Sequence, residues 1–250
     1  IEVFKIFEQQ VNLSLKRQDP YTRSHPLDRD RIKALARLTS TQPNHPINLE
    51  HKYFFLRLQT KLAAFSNDPG WGLIKPTSNK HLDLMQKAIS NHRLGQVQKA
   101  IHLIGNLVNL KPKDPYYREL QGQILLENRR YSAAIDAYQN ATRLGPKNPL
   151  ILGGYGKALL TQNDQTNNNE ALKILKLAQN LDSKDANILH HLGRAFSRSG
   201  EFGEAALATA KRYALQGDIK NAILQAKRAE AILPRGSVAW QKTQDIIYGF

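Results

Sequence analysis

The chain has 250 residues, of which 41% are apolar and 23% charged, so it is long enough and apolar enough to bury one or two cores. It contains no cysteine, which excludes disulfide bonds and thiol chemistry, and none of its segments is apolar enough to be predicted as a membrane span. The formal charge of +15 points to nucleic acid, but the basic residues are dispersed without interleaved aromatics, which favours a diffuse basic surface.

The N-terminal part of the chain is predicted to form three helices without any repeat. The first covers residues 1–18 and begins without an N-cap, which indicates that upstream sequence is missing. The second begins after Pro26, and the third spans about residues 48–66. The residues of this third helix that are expected to face inward are Tyr53, Phe54, Leu56, Leu62 and Phe65. A turn-rich segment, SNDPGWG, ends that helix, and residues 71–80 are predicted to be a linker.

An alanine recurs at regular intervals through the last two-thirds of the chain. Ala100, Ala134, Ala171, Ala205 and Ala222 are separated by 34, 37, 34 and 17 residues. A period of 34 is typical of tetratricopeptide (TPR) repeats, in which helical hairpins stack into a superhelix with a concave binding face. Residues 81–250 are therefore predicted to be an all-α, TPR-type solenoid of helical hairpins.

The two irregular spacings have separate interpretations. The spacing of 37 reflects three extra residues in the segment QNDQTNNNE, which is interpreted as a solvated loop between the two helices of the third hairpin. The spacing of 17 is half a period, which predicts that the helix over residues 202–216 belongs to two hairpins. The segment SVAWQKTQDIIYGF is predicted to be a final helix that caps the exposed end of the stack.

The sequence carries no recognisable catalytic constellation. It has no HExxH motif, no glycine-rich phosphate loop and no GxSxG elbow. His190 and His191 are adjacent on a helix and point in different directions, so one is expected in the groove and the other packed. We therefore expect no catalytic residue, no complete metal site and no cofactor in this chain, and no enzymatic activity of its own.

Binding chemistry is better supported, on the concave face. In TPR arrays this face is lined by positions two, five, six, nine and twelve or thirteen of the first helix of each hairpin. The candidate partner-binding residues at these positions are Glu119, Gln123, Lys157, Asn187, His190, Arg194 and Arg198. Of these, Lys157, Arg194 and Arg198 are predicted to form a basic stripe for an acidic or carboxylate-bearing segment of a partner. The alternative is an ordinary solvated helix face, and the Lys and Asn pattern of the TPR carboxylate clamp is absent.

Several segments resemble one family of enzymes. FKIFEQQ, SHPLDRDRIKAL, GQILLENRRYSAAI, KRYALQGDIKNAI and LPRGSVAW resemble the end of the peptidase domain and the TPR tail of periplasmic HExxH zinc metalloproteases of the beta-barrel assembly-enhancing type. The resemblance implies that residues 1–70 are the last three helices of an incomplete peptidase domain, whose missing part packs on them. It also implies that the zinc, the HExxH helix and a glutamate ligand belong to the parent enzyme, upstream of this chain.

By the same resemblance, His25 in the S-H-P segment is a regulatory residue near the zinc. A neutral imidazole can occupy the open coordination position of a catalytic zinc and displace the attacking water. The alternative is a loop histidine that caps the turn before Pro26. The resemblance further implies a periplasmic location and a role in outer-membrane protein assembly and quality control.

Three functions are weighed from these observations. The first is the TPR region of a zinc metalloprotease, which docks assembly machinery or holds unfolded protein substrate in its groove. The second is a free-standing TPR adaptor or chaperone. The third, a basic nucleic-acid-associated protein, is disfavoured by the dispersed charge, so we expect a protein partner and no nucleic acid.

Overall fold

A computed structural model of the chain describes residues 28–40 and 48–249. The helix predicted over residues 1–18 lies outside these residues. Within the described part, the chain forms thirteen α-helices and no strand, as the all-α prediction requires. The chain divides into two compact units, residues 1–55 and 56–250.

Helix α1 spans Asp28–Ser40, and helix α2, Leu49–Ser66, begins in the first unit and ends in the second. The remaining helices are α3 (Trp71–Ile74), α4 (Lys80–Arg93), α5 (Val97–Leu110), α6 (Pro115–Glu127), α7 (Tyr131–Leu144), α8 (Pro149–Leu159), α9 (Gln165–Leu181), α10 (Ala186–Arg198), α11 (Phe202–Leu215), α12 (Ile219–Ile232) and α13 (Val238–Tyr248).

Consecutive helices pair into hairpins that stack along the second unit. Helix α4 packs on α5, α6 on α7, α8 on α9 and α10 on α11, and each hairpin also contacts the next one. Helix α11 packs as closely on α12 as it does on α10, so it belongs to two hairpins, as the half-period spacing predicted. Helix α13 packs on α12 and α11 and buries Thr243 and Ile246, which covers that end of the stack.

The first helix of each hairpin begins at an acidic or amide side chain. The Asp114 carboxylate accepts hydrogen bonds from the backbone N–H groups of Tyr116 and Tyr117, and Asn148 and Asp185 cap α8 and α10 in the same way. Such a cap satisfies N–H groups that have no partner inside the helix. Proline follows Asp114 and Asn148 at the first helical position, where its missing N–H costs nothing.

The turns within the hairpins use the left-handed backbone region. Gly95, Gly200 and Gly217 have φ values of 71°, 76° and 75°, and Arg129 takes the equivalent place in the α6–α7 turn with a φ of 58°. A side chain at such a position clashes with its own backbone, whereas glycine does not.

We therefore expect Arg129→Gly to raise the free energy of unfolding by about 1 kcal/mol, because it removes the left-handed strain. The matched change in the opposite direction, Gly95→Ala, should lower it by a similar amount. Urea denaturation followed by circular dichroism measures both. A change of the same sign in both variants would contradict the strain argument.

Small residues let neighbouring helices approach closely. Ala100, Ala134, Ala171 and Ala222 have no exposed surface. The Tyr138 ring, on the second helix of its hairpin, lies against the backbone of Gly122 on α6 and of Gly154 on α8. A hydrophobic core that includes Tyr138, Leu152, Leu175 and Phe196 runs through the middle hairpins.

The interpretation of QNDQTNNNE as a solvated loop is wrong. Helix α9 begins at Gln165 within this segment, so most of the insertion lengthens the helix. The cause is local hydrogen bonding: Asp164 accepts the backbone N–H of Asn167 as an N-cap. The Asn168 side chain is buried and donates to the backbone carbonyl of Ala195 at 3.1 Å and to the Ser199 hydroxyl at 2.7 Å. The insertion therefore ties α9 to the end of α10.

The predicted inner face of α2 is also wrong. Phe54, Leu56 and Leu62 are exposed, whereas Arg57 and Ala64 are buried. The apolar periodicity of this helix misleads because its contacts within the second unit are made by charged side chains. Residues 71–80, predicted as a linker, include the short helix α3, which packs on α4 and buries Gly72.

Candidate functional site

The concave groove is formed by the first helices of the hairpins, α4, α6, α8 and α10. The sequence-predicted partner-binding residues lie on α6, α8 and α10, but the structure gives them different surroundings along the groove. The groove has three regions: the N-terminal end on α4 and α6, the middle around Glu127, and the C-terminal end.

At the N-terminal end, Glu119 is not open to a partner. Its side chain is only 6% exposed, and its carboxylate accepts a hydrogen bond from the Lys61 ammonium at 3.1 Å. Lys61 belongs to α2, which the sequence did not place in the groove. The Glu119 carboxylate is therefore buried and already paired with Lys61 of the same chain.

The middle of the groove holds a polar cluster centred on Glu127. The Glu127 carboxylate contacts the His92 ring at 2.7 Å and accepts a hydrogen bond from the Gln123 amide at 3.0 Å. The hydrogen bond with His92, followed by that with Gln123 and the charge of Lys157, holds the pKa of Glu127 below its usual value. Gln123 thus hydrogen-bonds Glu127, and the exposed Lys157 acts on it through its charge.

The C-terminal end carries an open pocket of about 760 Å³, here called the arginine groove. It is lined by residues of α10, α11 and α12, namely His190, Gly193, Arg194, Ser197, Phe202, Ala205, Ala206, Thr209, Arg212, Gln225, Arg228, Ala231 and Ile232. Three arginines face it, and no carboxylate is among these lining residues. Burial, followed by the charges of Arg212 and Arg194, lowers the pKa of His190, so this ring is neutral at pH 7.

The surface of the arginine groove is also partly apolar. Small residues on α10, α11 and α12 leave the space open between the helices, and Phe202 and Ile232 are 60% and 57% exposed beside it. Exposed apolar side chains around a cluster of positive charges are typical of a surface that receives another molecule. The pocket therefore has room, charge and apolar contacts for a peptide segment.

The remaining predicted residues are not part of this pocket. Asn187 is exposed in the first turn of α10. The Arg198 guanidinium donates to the backbone carbonyls of Leu160 at 2.8 Å and Gln162 at 3.1 Å, where α8 ends. Arg198 thus satisfies carbonyls that a helix end leaves without partners, so its guanidinium is already engaged, and the basic stripe of Lys157, Arg194 and Arg198 stays a prediction.

Four residues of the arginine groove were not predicted from the sequence: Arg212, Gln225, Arg228 and Phe202. These residues lie on α11 and α12, outside the first helices of the four regular hairpins. The spacing of 17 could have identified them, because a helix shared by two hairpins lets α10 and α12 line one pocket with it. Of the predicted histidine pair, His190 lines the groove and His191 is packed with its Nδ1 buried, as expected.

His25 lies outside the described residues, so its predicted regulatory role stays a prediction. Among residues 28–40 and 48–249, no group of three His, Cys, Asp or Glu side chains is placed to hold a metal ion. In the same part of the chain, no helix combines the length and apolarity needed to cross a bilayer.

Residues 106–213 match the family model described as the cytochrome c-type biogenesis protein H TPR domain. Cytochrome c-type biogenesis protein CycH from Rhizobium meliloti (strain 1021) is 31% identical over 106 residues, which are 42% of this chain and 28% of that protein. The chain thus matches less than a third of the length of this curated relative. Neither match is to a metalloprotease, so neither supports the resemblance to metalloprotease tails.

Solved structures with the same fold include two of MamA. The MamA structure from Desulfovibrio magneticus RS-1 that begins at residue 41 aligns with a TM-score of 0.52 and 17% identity, covering 68% of this chain and 94% of that one. A second MamA structure aligns with a TM-score of 0.51 and 16% identity, covering 64% of this chain and 90% of that one. At these identities the likeness shows the fold alone, and it confirms the predicted TPR-type solenoid. Helices α6 to α10 lie within the residues that match this family model.

Proposed function

We propose that this chain is a TPR adaptor whose arginine groove binds an acidic segment of a partner protein. The observation that carries the proposal is the set of three arginines, Arg194, Arg212 and Arg228, which face one open pocket without a carboxylate among its lining residues. Arginine binds carboxylates through two parallel hydrogen bonds, so such a cluster favours acidic side chains or a terminal carboxylate.

The shape of the groove favours an extended or helical peptide over a small ion. Its three arginines come from three different helices, so a ligand that satisfies them must cross the pocket. Phe202 and Ile232 supply exposed apolar surface for hydrophobic side chains between the acidic ones. The preferred segment therefore alternates acidic and apolar residues.

The binding test uses the full chain and a fluorescein-labelled peptide of alternating glutamate and leucine. We expect fluorescence anisotropy to show binding that weakens with salt, and Arg194→Glu together with Arg228→Glu to reduce the affinity by about tenfold or more. Arg143→Glu on α7, outside the groove, is the matched control and should leave the affinity unchanged. A peptide with lysine in place of glutamate should not bind. Equal losses in the groove variant and the control would contradict the proposal.

The comparisons support a proposal for the cellular role. Because the family model and the curated relative are both described as cytochrome c-type biogenesis proteins, the adaptor acts in that process on this proposal, in a periplasmic or other extracytoplasmic compartment. Deleting the gene should lower the amount of c-type cytochromes seen by haem staining. The wild-type gene should restore them, and the Arg194→Glu, Arg228→Glu variant should not. Unchanged haem staining in the deletion strain would contradict this role.

The metalloprotease-tail hypothesis makes a different claim about the gene. It requires an HExxH motif and a glutamate zinc ligand encoded upstream of Ile1. Sequencing the upstream region distinguishes the two hypotheses, because the adaptor proposal requires that no peptidase domain precede the repeats.

A further inference from the structure

The chain covers the N-terminal end of its own concave groove. Within the second unit, α2 places Arg57 against Asp114, with two parallel hydrogen bonds of 2.8 and 3.0 Å between guanidinium and carboxylate. One helical turn later, Lys61 contacts Glu119 at 3.1 Å. Glu119 occupies a groove position of α6, and Asp114 is the N-cap of the same helix. The two contacts therefore match a pair of basic side chains to a pair of acidic ones.

The aromatic residues at the start of α6 complete the site for Arg57. The guanidinium carbon lies 3.9 Å from the centre of the Tyr117 ring and 5.0 Å from that of Tyr116. The Arg57 side chain is only 8% exposed. A guanidinium that is paired by a carboxylate and stacked on aromatic rings is held by a built receptor site and not by a chance surface contact.

The end of α2 is held by a second groove residue. The Arg93 guanidinium, on α4, donates to the backbone carbonyls of Ala64 at 2.9 Å and Asn67 at 2.6 Å. These bonds satisfy carbonyls at the C-terminus of α2 and use backbone atoms that any helix would offer. The receptor site therefore recognises the C-terminal end of a helix and two basic side chains. It makes few contacts with the other side chains of that helix.

The face that α2 turns toward the groove is the polar one. Arg57, Lys61 and Ala64 lie on one side of the helix, since they are four and three residues apart. Leu58 and Leu62 lie on the other side and are 66% and 64% exposed. A helix that belongs permanently to a core buries its leucines. The docking of α2 instead has the chemistry of a peptide held in a recognition groove.

We infer that the N-terminal end of the groove is a second binding surface, for a helical segment that carries Arg and Lys four residues apart, and that α2 is its resident occupant. A partner helix of this kind displaces the α2 segment and takes over Asp114, Glu119, Tyr117 and Arg93. This surface selects basic helices, whereas the arginine groove at the other end selects acidic segments. The two ends of the concave face therefore discriminate between partners by charge.

How easily a partner helix displaces α2 depends on the segment that joins α2 to α4. Because α2 is joined to α4 by a short connection, its effective concentration at the site is in the millimolar range or higher, so a free helix competes poorly with it. Weakening the contacts of α2 opens the site without changing the site itself. That difference allows the receptor residues to be tested in the full chain.

The first experiment measures binding of a fluorescein-labelled peptide with the sequence of residues 49–66. The chain with Arg57→Glu and Lys61→Glu should bind this peptide at least tenfold more tightly than the wild-type chain, because α2 no longer occupies the site. Adding Asp114→Asn and Glu119→Gln should abolish the gain, and Asn retains the N-cap of α6. Lys52→Glu, an exposed lysine of the same helix, is the control and should not increase binding. The same peptide with Glu in place of the Arg57 and Lys61 residues should not bind.

The second experiment follows the occupant directly in the otherwise native chain. Ala64 is 2% exposed and the chain has no cysteine, so Ala64→Cys provides a single protected thiol. Its reaction with a disulfide reagent should be at least tenfold slower than that of Lys173→Cys, at a position where the side chain is exposed. Lys61→Glu or an excess of the peptide should accelerate it. The charge exchange Lys61→Glu with Glu119→Lys should restore protection.

Either of two results overturns the inference. If the peptide binds the wild-type and the Arg57→Glu, Lys61→Glu chains equally, the acidic end is not a receptor for this helix. If peptide at a concentration above the effective concentration of α2 leaves the thiol of the Ala64→Cys chain reacting at an unchanged rate, α2 is a fixed part of the fold and not a displaceable occupant.

Discussion

Replacing Gly122 with alanine should lower the free energy of unfolding by about 2 kcal/mol. A Cβ atom at this position would lie 2.7 Å from a carbon of the Tyr138 ring, which is closer than packed atoms approach. Tyr138 is 3% exposed and also lies against the backbone of Gly154, so the ring has no room to withdraw. The strain must then be relieved by separating α6 from α7. Thermal and urea denaturation measure the effect.

Gly105 provides the matched control for this substitution. It is also a helical glycine, on α5, but a Cβ there would meet nothing within 4 Å. Gly105→Ala should therefore raise the free energy of unfolding by about 0.5–1 kcal/mol, because alanine is the better helix former. If both substitutions changed stability in the same direction, contact with Tyr138 would not be the reason that position 122 needs glycine.

The Tyr138 wedge also predicts coupling between two hairpins. Gly154→Ala presses on the same ring from α8, and its Cβ would lie even closer to that ring than the one at position 122. Once one alanine has displaced the ring, the second meets less resistance. The double variant should therefore lose less stability than the sum of the two single losses.

The regular hairpins could be predicted from the sequence because their contacts repeat. An alanine that faces a neighbouring helix at intervals of 34 or 37 residues indicates the same backbone approach each time, and Ala100, Ala134 and Ala171 are all fully buried. The spacing of 17 also has one physical meaning, a helix with two partners. Local and tertiary signals agree in this part of the chain.

The errors arose where a polar side chain determines the structure. Asn168 was predicted to lie in a loop because its segment is rich in asparagine. In the structure it lies in helix α9, and its side chain donates hydrogen bonds to the end of α10. The periodicity of its helix predicts that Arg57 faces solvent. In the structure it is buried and hydrogen-bonded to Asp114, which is 57 residues away in the sequence. Composition and periodicity carry no information about a partner at such a distance.

The candidate site was predicted by position but not by function. Groove positions alone placed Glu119, Arg194 and Arg198 in one class, whereas the structure pairs Glu119 with Lys61, turns Arg198 to the backbone and leaves Arg194 in the open pocket. The difference is whether each charge already has a partner. Whether a charge has a partner depends on contacts between residues that are distant in the sequence, so it could not be predicted from the sequence.

His191 should make the protein less stable as the pH falls from about 6.5 to 4. Burial, followed by the charges of His190, Lys157 and Arg194, lowers the pKa of His191 to about 4, and Asp185 opposes this shift. The Nδ1 atom is buried without a hydrogen-bond partner among the described residues. The unfolded chain binds a proton near pH 6.5, whereas the folded chain resists it until about pH 4. The contribution of His191 is thus complete above pH 6.5 and is lost as the pH falls through this window.

We expect a loss of about 1–2 kcal/mol, which allows for the partial exposure of the ring. Glu127 does not interfere between pH 5 and 6.5, because its pKa is held below the usual carboxylate value and its contribution is lost only at lower pH. His191→Gln should flatten the profile of unfolding free energy against pH in this window, whereas His102→Gln, on the exposed face of α5, should leave it unchanged. A profile of equal slope in the His191→Gln chain would show that the acid sensitivity arises elsewhere, since glutamine cannot bind the proton that the argument requires.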